Sequence, residues 1–201
     1  MLLAIDSSSG TGAAVVDAER GVLAERSVAD PLRHAEVVGE LLAGVLADAG
    51  ISAADLEAVA IGVGPGPFTG LRVGMAAGRT FALAAGLPAL GVVSHDAIAA
   101  AAAIDGDLIV TTDARRRELY WSRYAGLDAD GIPVRVEGPA LAKPDAVPGA
   151  ESRIDAGSLS PGWLGLVAAR ARRAGRKPVP IEPLYLRSPD VTLSAPKRVS
   201  G

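Results

Sequence analysis

Cysteine is absent from the 201-residue chain, which removes thiol nucleophiles, disulfide staples and cysteine-ligated zinc or iron–sulfur sites. Histidine occurs only as His34 and His95, too little material for a histidine-rich metal centre. Aromatic residues are 3% of the chain, too sparse for the stacking platform of single-stranded RNA binders. Apolar runs are broken by Asp, Arg, Gly or Pro before membrane-spanning length. Asp6 falls too early for a signal peptide. A soluble, cytoplasmic protein with no membrane association is the expectation.

What is present is apolar mass. The chain is 49% hydrophobic and 21% charged, enough for a core in one large domain or two small lobes. Twenty basic against 23 acidic residues give a net charge of -3, which argues against a general nucleic-acid coat. Residues 165–201 nevertheless hold 8 basic and 2 acidic side chains. Arg170, Arg172, Arg173, Arg176 and Lys177 read best as the solvated C-terminal end of a helix. The competing reading is a patch for an acidic partner or RNA phosphates.

Hydrophobic patterning predicts an antiparallel meander over Leu2–Asp6, Ala13–Val16 and Val22–Val28. The stripe Val37, Val38, Leu41, Leu42, Val45, Leu46 predicts a helix from Leu32 to Ala49, stopped by Gly50. A buried strand, Ala58–Val63, leads through Gly64-Pro65-Gly66-Pro67 into a helix capped by Thr69 and running to Ala85. A strand at Leu90–Val93, an alanine-rich helix to Ala103, and strands at Asp107–Thr112, Glu118–Tyr124 and Val134–Glu137 follow. Residues 139–161 give few signals. A helix from Pro161 to Arg173, an extended Ile181–Arg187 and a frayed tail from about 188 complete the chain. The pattern predicts an α/β protein with mixed sheets flanked by helices, in two lobes, 1–104 and 105–201, the second abbreviated.

The Gly62–Arg72 loop is a poor phosphate cradle. It lacks the terminal Gly-Lys-Ser/Thr of a P-loop, and Pro65 and Pro67 supply no N–H. In the helix behind it, Gly70, Gly74 and Gly78 recur on one face. Each glycine costs about 1 kcal/mol relative to alanine in a helix interior, so the stripe implies close approach of another backbone. Either an element of this chain or a partner's helix fills it. Asp6 and Asp113 end strands of the two lobes and could hold magnesium and a nucleotide; Asp6 equally suits organising the Ser7–Gly10 turn. His34 and His95 lack the second histidine of a metal pair or the partners of a triad.

Asp6-Ser7-Ser8, the loop Gly64-Pro65-Gly66-Pro67-Phe68-Thr69-Gly70-Leu71-Arg72, Asp113-Ala114-Arg115-Arg116 and Pro183-Leu184-Tyr185-Leu186-Arg187 resemble the TsaB (YeaZ) family. The resemblance runs from Met1 to about Arg187. It implies a two-lobed actin/Hsp70/sugar-kinase-like (ASKHA) α/β fold with a degenerate second lobe. It also implies a non-catalytic subunit of the machinery that makes threonylcarbamoyladenosine on tRNA, a scaffold for the paralogous TsaD. TsaE would join the assembly, tRNA would be met only indirectly, and the isolated chain would pair with itself as a homodimer. Pairing with TsaD through first-lobe helices maps onto Val37, Val38, Leu41, Val45, Gly70, Gly74, Met75 and Gly78. Asp6, Ser7 and Asp113 become vestigial nucleotide-binding residues, with no cofactor required and ATP or ADP a candidate at the joint with TsaD. The His-x-x-x-His metal pair of TsaD is replaced by Ser94-His95-Asp96-Ala97-Ile98, so no metal is expected. Pro67 departs from the usual serine of the family. The rival expectations are a small nucleotide-dependent ATPase or kinase of the same fold using Asp6 and Asp113, and an RNA-binding module using the C-terminal arginines.

Overall fold

The computed structural model describes residues 1–30 and 33–187. The first sheet is built on β1 (Leu2–Asp6), which pairs antiparallel with β2 (Thr11–Asp17) and parallel with β4 (Ala58–Gly62). With β3 (Gly21–Val28) and β5 (Ala89–Val92) the strand order is β3-β2-β1-β4-β5. All five residues of β1 and of β4 are buried, as expected where a sheet is covered on both faces and its strands read as continuous apolar runs.

The period-2 alternation of the strands divides the core into two layers. Leu3, Ile5, Ala13, Val15, Val59 and Ile61 face α1 (His34–Ala49) and α2 (Phe68–Ala85). Leu2, Ala4, Ala14, Val16, Ala58 and Ala60 face α3 (Ser94–Ala102) and α4 (Pro161–Arg173). The αL residues Gly50 and Gly86 close α1 and α2, the cap chemistry expected of glycine.

The second sheet has the order β8-β7-β6-β9, from β6 (Asp107–Asp113), β7 (Leu119–Leu127), β8 (Pro133–Ala142) and β9 (Ser152–Ala156). It repeats the pairing of the first: β6 is antiparallel to β7 and parallel to β9, as β1 is to β2 and β4. Between β8 and β9 stands a single 3-10 turn, Pro144–Ala146, where the first lobe has a 16-residue helix. The α/β fold with two mixed sheets flanked by helices is therefore the observed one.

Several expectations change. Strand β9 lies inside the stretch that gives few sequence signals; Ser-Arg-Ile-Asp-Ala has one large apolar residue and sits at a sheet edge. Strand β8 is longer than Val134–Glu137. The cap of α2 is Pro67, with no side-chain hydrogen bond, and Thr69 lies inside the helix. The expected helix start at Leu32 and the frayed tail from 188 lie outside the described residues. The 104/105 division falls between α3 and β6, while α4, from the second segment, packs on the first sheet.

Candidate functional site

The glycine stripe is covered by its own chain. The Ser7 hydroxyl donates to the Gly70 carbonyl at 2.7 Å and accepts from the Gly74 N–H at 3.0 Å. A Cβ on Gly70 would stand 2.8 Å from the Ser7 carbonyl oxygen and 2.9 Å from His34 Nε2. One on Gly78 would stand 2.8 Å from Ile61. Val37, Leu41, Val45 and Met75 belong to the buried core with Leu3 and Ile5. The expectation that Val37, Leu41, Val45, Gly70, Gly74, Met75 and Gly78 receive a partner is thus corrected. The missing side chains let α2 settle on the end of β1 and on β4, and that contact leaves no surface. Val38 alone of the group is only half-buried.

The opposite face of the same two helices is open. Ala35, Gly39 and Ala43 on α1 and Thr69, Arg72, Ala76, Arg79, Thr80 and Leu83 on α2 are exposed. Leu83, at 83%, is the most exposed large hydrophobic residue among those described. Among the described residues, nothing beyond its chain neighbours and its own helix backbone lies within 4 Å of where a Cβ on Gly39 would stand. The result is a small-residue exposed face with an apolar end, bordered by Glu36 and Glu40 on α1 and carrying Arg72 and Arg79 on α2. The helical phase of Thr69, Arg72, Ala76, Thr80 and Leu83 is the sequence signal for this face.

The second candidate region is the cleft between the lobes. Asp6 is buried; its Oδ1 accepts from the Ser8 N–H at 2.7 Å and the Ser8 hydroxyl at 2.6 Å, and its Oδ2 from the Ser94 hydroxyl at 2.6 Å. Burial pushes its pKa up, against the three donors that hold the charge. Gly62 leaves the room: a side chain there would overlap the Asp6 carboxylate. Asp113 is exposed at the tip of β6 and accepts from the Arg115 N–H at 3.0 Å. Both carboxylates therefore organise the turns that follow them. They border neighbouring cavities: about 350 Å³ lined by Asp6, Thr11, Glu25 and Ser160 among others, and about 190 Å³ lined by Ser8, His34, Thr112, Asp113 and Arg115 among others. His34 meets Thr11 Oγ1 through Nδ1 at 2.7 Å, and burial lowers its pKa. Neither lining contains a lysine, and each oxygen of Asp6 accepts at least one hydrogen bond from within the chain.

Arg115, Arg116 and Arg117 all have left-handed backbones, with φ of 61°, 53° and 59°. For residues with a Cβ this conformation costs roughly 1–2 kcal/mol each, so surrounding contacts must hold the loop.

The start of α3 joins the lobes. Ser94 bonds Asp6 and accepts from the Gly64 N–H at 3.2 Å in the first lobe. His95, fully buried, meets Ser122 Oγ at 2.8 Å and Thr112 Oγ1 at 2.9 Å in the second. Asp96 accepts from the Tyr124 hydroxyl at 2.8 Å and Arg135 Nε at 3.1 Å. Burial, with Arg135 nearby, lowers the His95 pKa to about 3. Both ring nitrogens are occupied, which gives this histidine a structural role. These partners were not readable from the sequence, since Thr112 and Ser122 lie 17 and 27 residues away. Among the described residues, no three His, Asp or Glu side chains are grouped to hold a metal ion, and no helix is long and apolar enough to cross a membrane.

The basic cluster at the end of α4 is largely paired within the chain. Arg170 donates to the Gly131 carbonyl at 2.8 Å, Arg172 binds Glu57 at 2.7 Å, and Arg176 binds Asp128 at 2.6 Å.

The model of the family described as "TsaD: tRNA N6-adenosine threonylcarbamoyltransferase" matches residues 17–152. An uncharacterized protein of Mycobacterium tuberculosis is 43% identical over 206 residues, covering 94% of this chain and 92% of that one. The Escherichia coli tRNA threonylcarbamoyladenosine biosynthesis protein TsaB is 34% identical over 120 residues, covering 58% of this chain and 52% of the relative. The structure of YeaZ from Pseudomonas aeruginosa superposes with a TM-score of 0.76 at 24% identity, covering 92% of this chain and 99% of that one. That likeness establishes a shared fold.

Proposed function

The chain belongs to the family described as TsaD, tRNA N6-adenosine threonylcarbamoyltransferase, and from that premise we propose that it is a non-catalytic, TsaB-like subunit for making threonylcarbamoyladenosine on tRNA, acting by binding a TsaD-type transferase. Involvement in this tRNA modification is supported by the family and by the TsaB relative. A scaffold role is supported by one observation above all: the inner faces of α1 and α2 are spent on the core, while their outer face is small-residued, exposed and ends in Leu83.

Such a face admits the close approach of two partner helices, because short side chains keep the backbones near. Covering it stabilises whichever TsaD arrangement fits, a population shift limited by the difference in affinity for the two arrangements. Without TsaD the same face closes on a second copy, with the acidic rim of α1 opposite the basic rim of α2 across a two-fold axis. TsaE and tRNA meet the chain through the assembled cytoplasmic complex. The occupied oxygens of Asp6 and the two engaged nitrogens of His95 favour this reading over an ATPase, a kinase or a metalloenzyme.

The test is co-purification with TsaD from the same organism, followed by a threonylcarbamoylation assay with and without this chain. Expected are a stable heterodimer and activity that depends on it. A TsaD equally active alone, with no complex formed, sinks the reading.

A further inference from the structure

We propose that the C-terminal segment 179–187 is a strap that holds the β6–β7 loop, 114–118, in its left-handed form and thereby sets Arg115 at the mouth of the inter-lobe cavity. The segment crosses from one lobe to the other with anchors at both ends. Its first residue, Val179, bridges to Gly91 at the edge of the first sheet. The Leu184 N–H donates to the Val63 carbonyl at 2.9 Å, and Val179, Ile181, Leu184 and Tyr185 pack against the first-lobe core.

The middle of the strap is clamped by the head of α2. The Tyr185 ring lies 4.6 Å from that of Phe68, and its hydroxyl accepts from Arg72 Nε at 2.8 Å. The Arg72 guanidinium carbon stands 3.9 Å from the Phe68 ring centre. At the far end, Arg187 forms an ion pair with Glu118. Glu118 closes the loop itself: its carbonyl accepts from the Ala114 N–H at 3.0 Å, and its own N–H donates to the Arg115 carbonyl at 3.0 Å. The loop so closed carries three consecutive arginines with φ between 53° and 61°, and Arg115 lines the cavity of about 190 Å³ shared with His34 and Ser8. A strained loop closed by one residue, and that residue gripped by the strap, make Arg187 a positioning residue for the cavity. A partner that draws the segment away releases the loop.

The three arginines provide the readout, because trypsin cleaves after each. Limited trypsinolysis of the full chain, with cleavage at 115–117 followed by mass spectrometry, is compared for wild type, Arg187→Gln, Glu118→Gln, the double variant and Arg187→Lys. Arg187→Gln and Glu118→Gln are each expected to cleave about fivefold faster there, the scale of one partly buried ion pair. The double variant should be no faster than either single, and Arg187→Lys should stay near wild type. Arg26→Ala, which breaks the remote ion pair with Asp48, is the control for general loosening, and amide exchange at 114–118 should rise in parallel. Unchanged cleavage in Arg187→Gln, additive effects in the double variant, or an equal increase in Arg26→Ala would overturn the proposal. Thermal melts of each variant separate loop release from unfolding.

Discussion

The Ser7 hydroxyl lies in the groove that Gly74 leaves open, donating to Gly70 and accepting from Gly74 one turn further along the helix. This contact sits where the end of β1 turns away from the first sheet. It fixes how deeply α2 settles on that sheet. Gly74→Ala drives a methyl group into the Ser7 side chain. A well-packed core resists such insertions by about 1–3 kcal/mol, which for a chain of this length lowers the melting temperature by roughly 5 °C. The variant therefore reports on folding stability, and a melt unchanged from wild type would show that the helix can shift without cost.

Partner binding is tested on the other side of α2. Leu83→Lys changes a side chain that is 83% exposed, so its melting temperature should stay within about 1–2 °C of wild type, since surface substitutions cost little. Affinity for TsaD should fall about tenfold or more if Leu83 is an anchor of the interface. Titration calorimetry with purified TsaD measures it. Wild-type affinity in Leu83→Lys, repeated in Ala76→Arg, moves the partner off this face.

Much of the fold was legible because its signals are local. Leu2–Asp6 is a compact apolar run, the Val37–Leu46 stripe has helical period, and Gly50 and Gly86 stand where left-handed caps belong. Strand β9 was not legible, because an edge strand with exposed Arg153 and Asp155 carries almost no apolar pattern. The glycine stripe shows the limit most clearly. Periodicity says which residues share a face of α2; it does not say what lies across from that face. Gly70, Gly74 and Gly78 share one face, and their neighbours, Ser7 just after β1 and Ile61 within β4, are brought there only by the tertiary fold. The ties of Ser94 to Asp6 and of His95 to Thr112 are likewise products of long-range packing.

Stability should fall as pH drops below about 6.5, through His95. Its folded pKa of about 3 lies under the ordinary value of 6.5. The unfolded chain therefore takes up the proton first, and the native state loses ground from pH 6.5 downward, by about 1.4 kcal/mol per pH unit for one such group. Between pH 6.5 and 5.0 this is about 2 kcal/mol. His34, whose pKa burial also lowers, adds in the same direction. Urea melts across pH 5.0–7.5 should show the slope, and His95→Asn should flatten it while lowering stability at neutral pH. A slope that survives the substitution assigns the effect to His34.

The role of Asp6 is decided by comparing two substitutions. As a turn organiser it accepts from Ser8 and Ser94, so Asp6→Ala strands buried donors and costs about 2 kcal/mol. Asp6→Asn keeps an acceptor for the Ser8 N–H, and the Ser94 hydroxyl can turn to accept from the new amide. It also removes a charge that burial disfavours, so its stability should lie within about 1 kcal/mol of wild type. A magnesium ligand behaves differently: Asp6→Asn would then abolish binding of Mg-ATP that the wild type shows. Calorimetry of the isolated wild-type chain with Mg-ATP is expected to give no stoichiometric heat, because Asp6 is tied into its turn by Ser8 and Ser94 and neither bordering cavity offers a lysine to the phosphates. A tight, stoichiometric isotherm lost in Asp6→Asn would instead make this carboxylate part of a working nucleotide site.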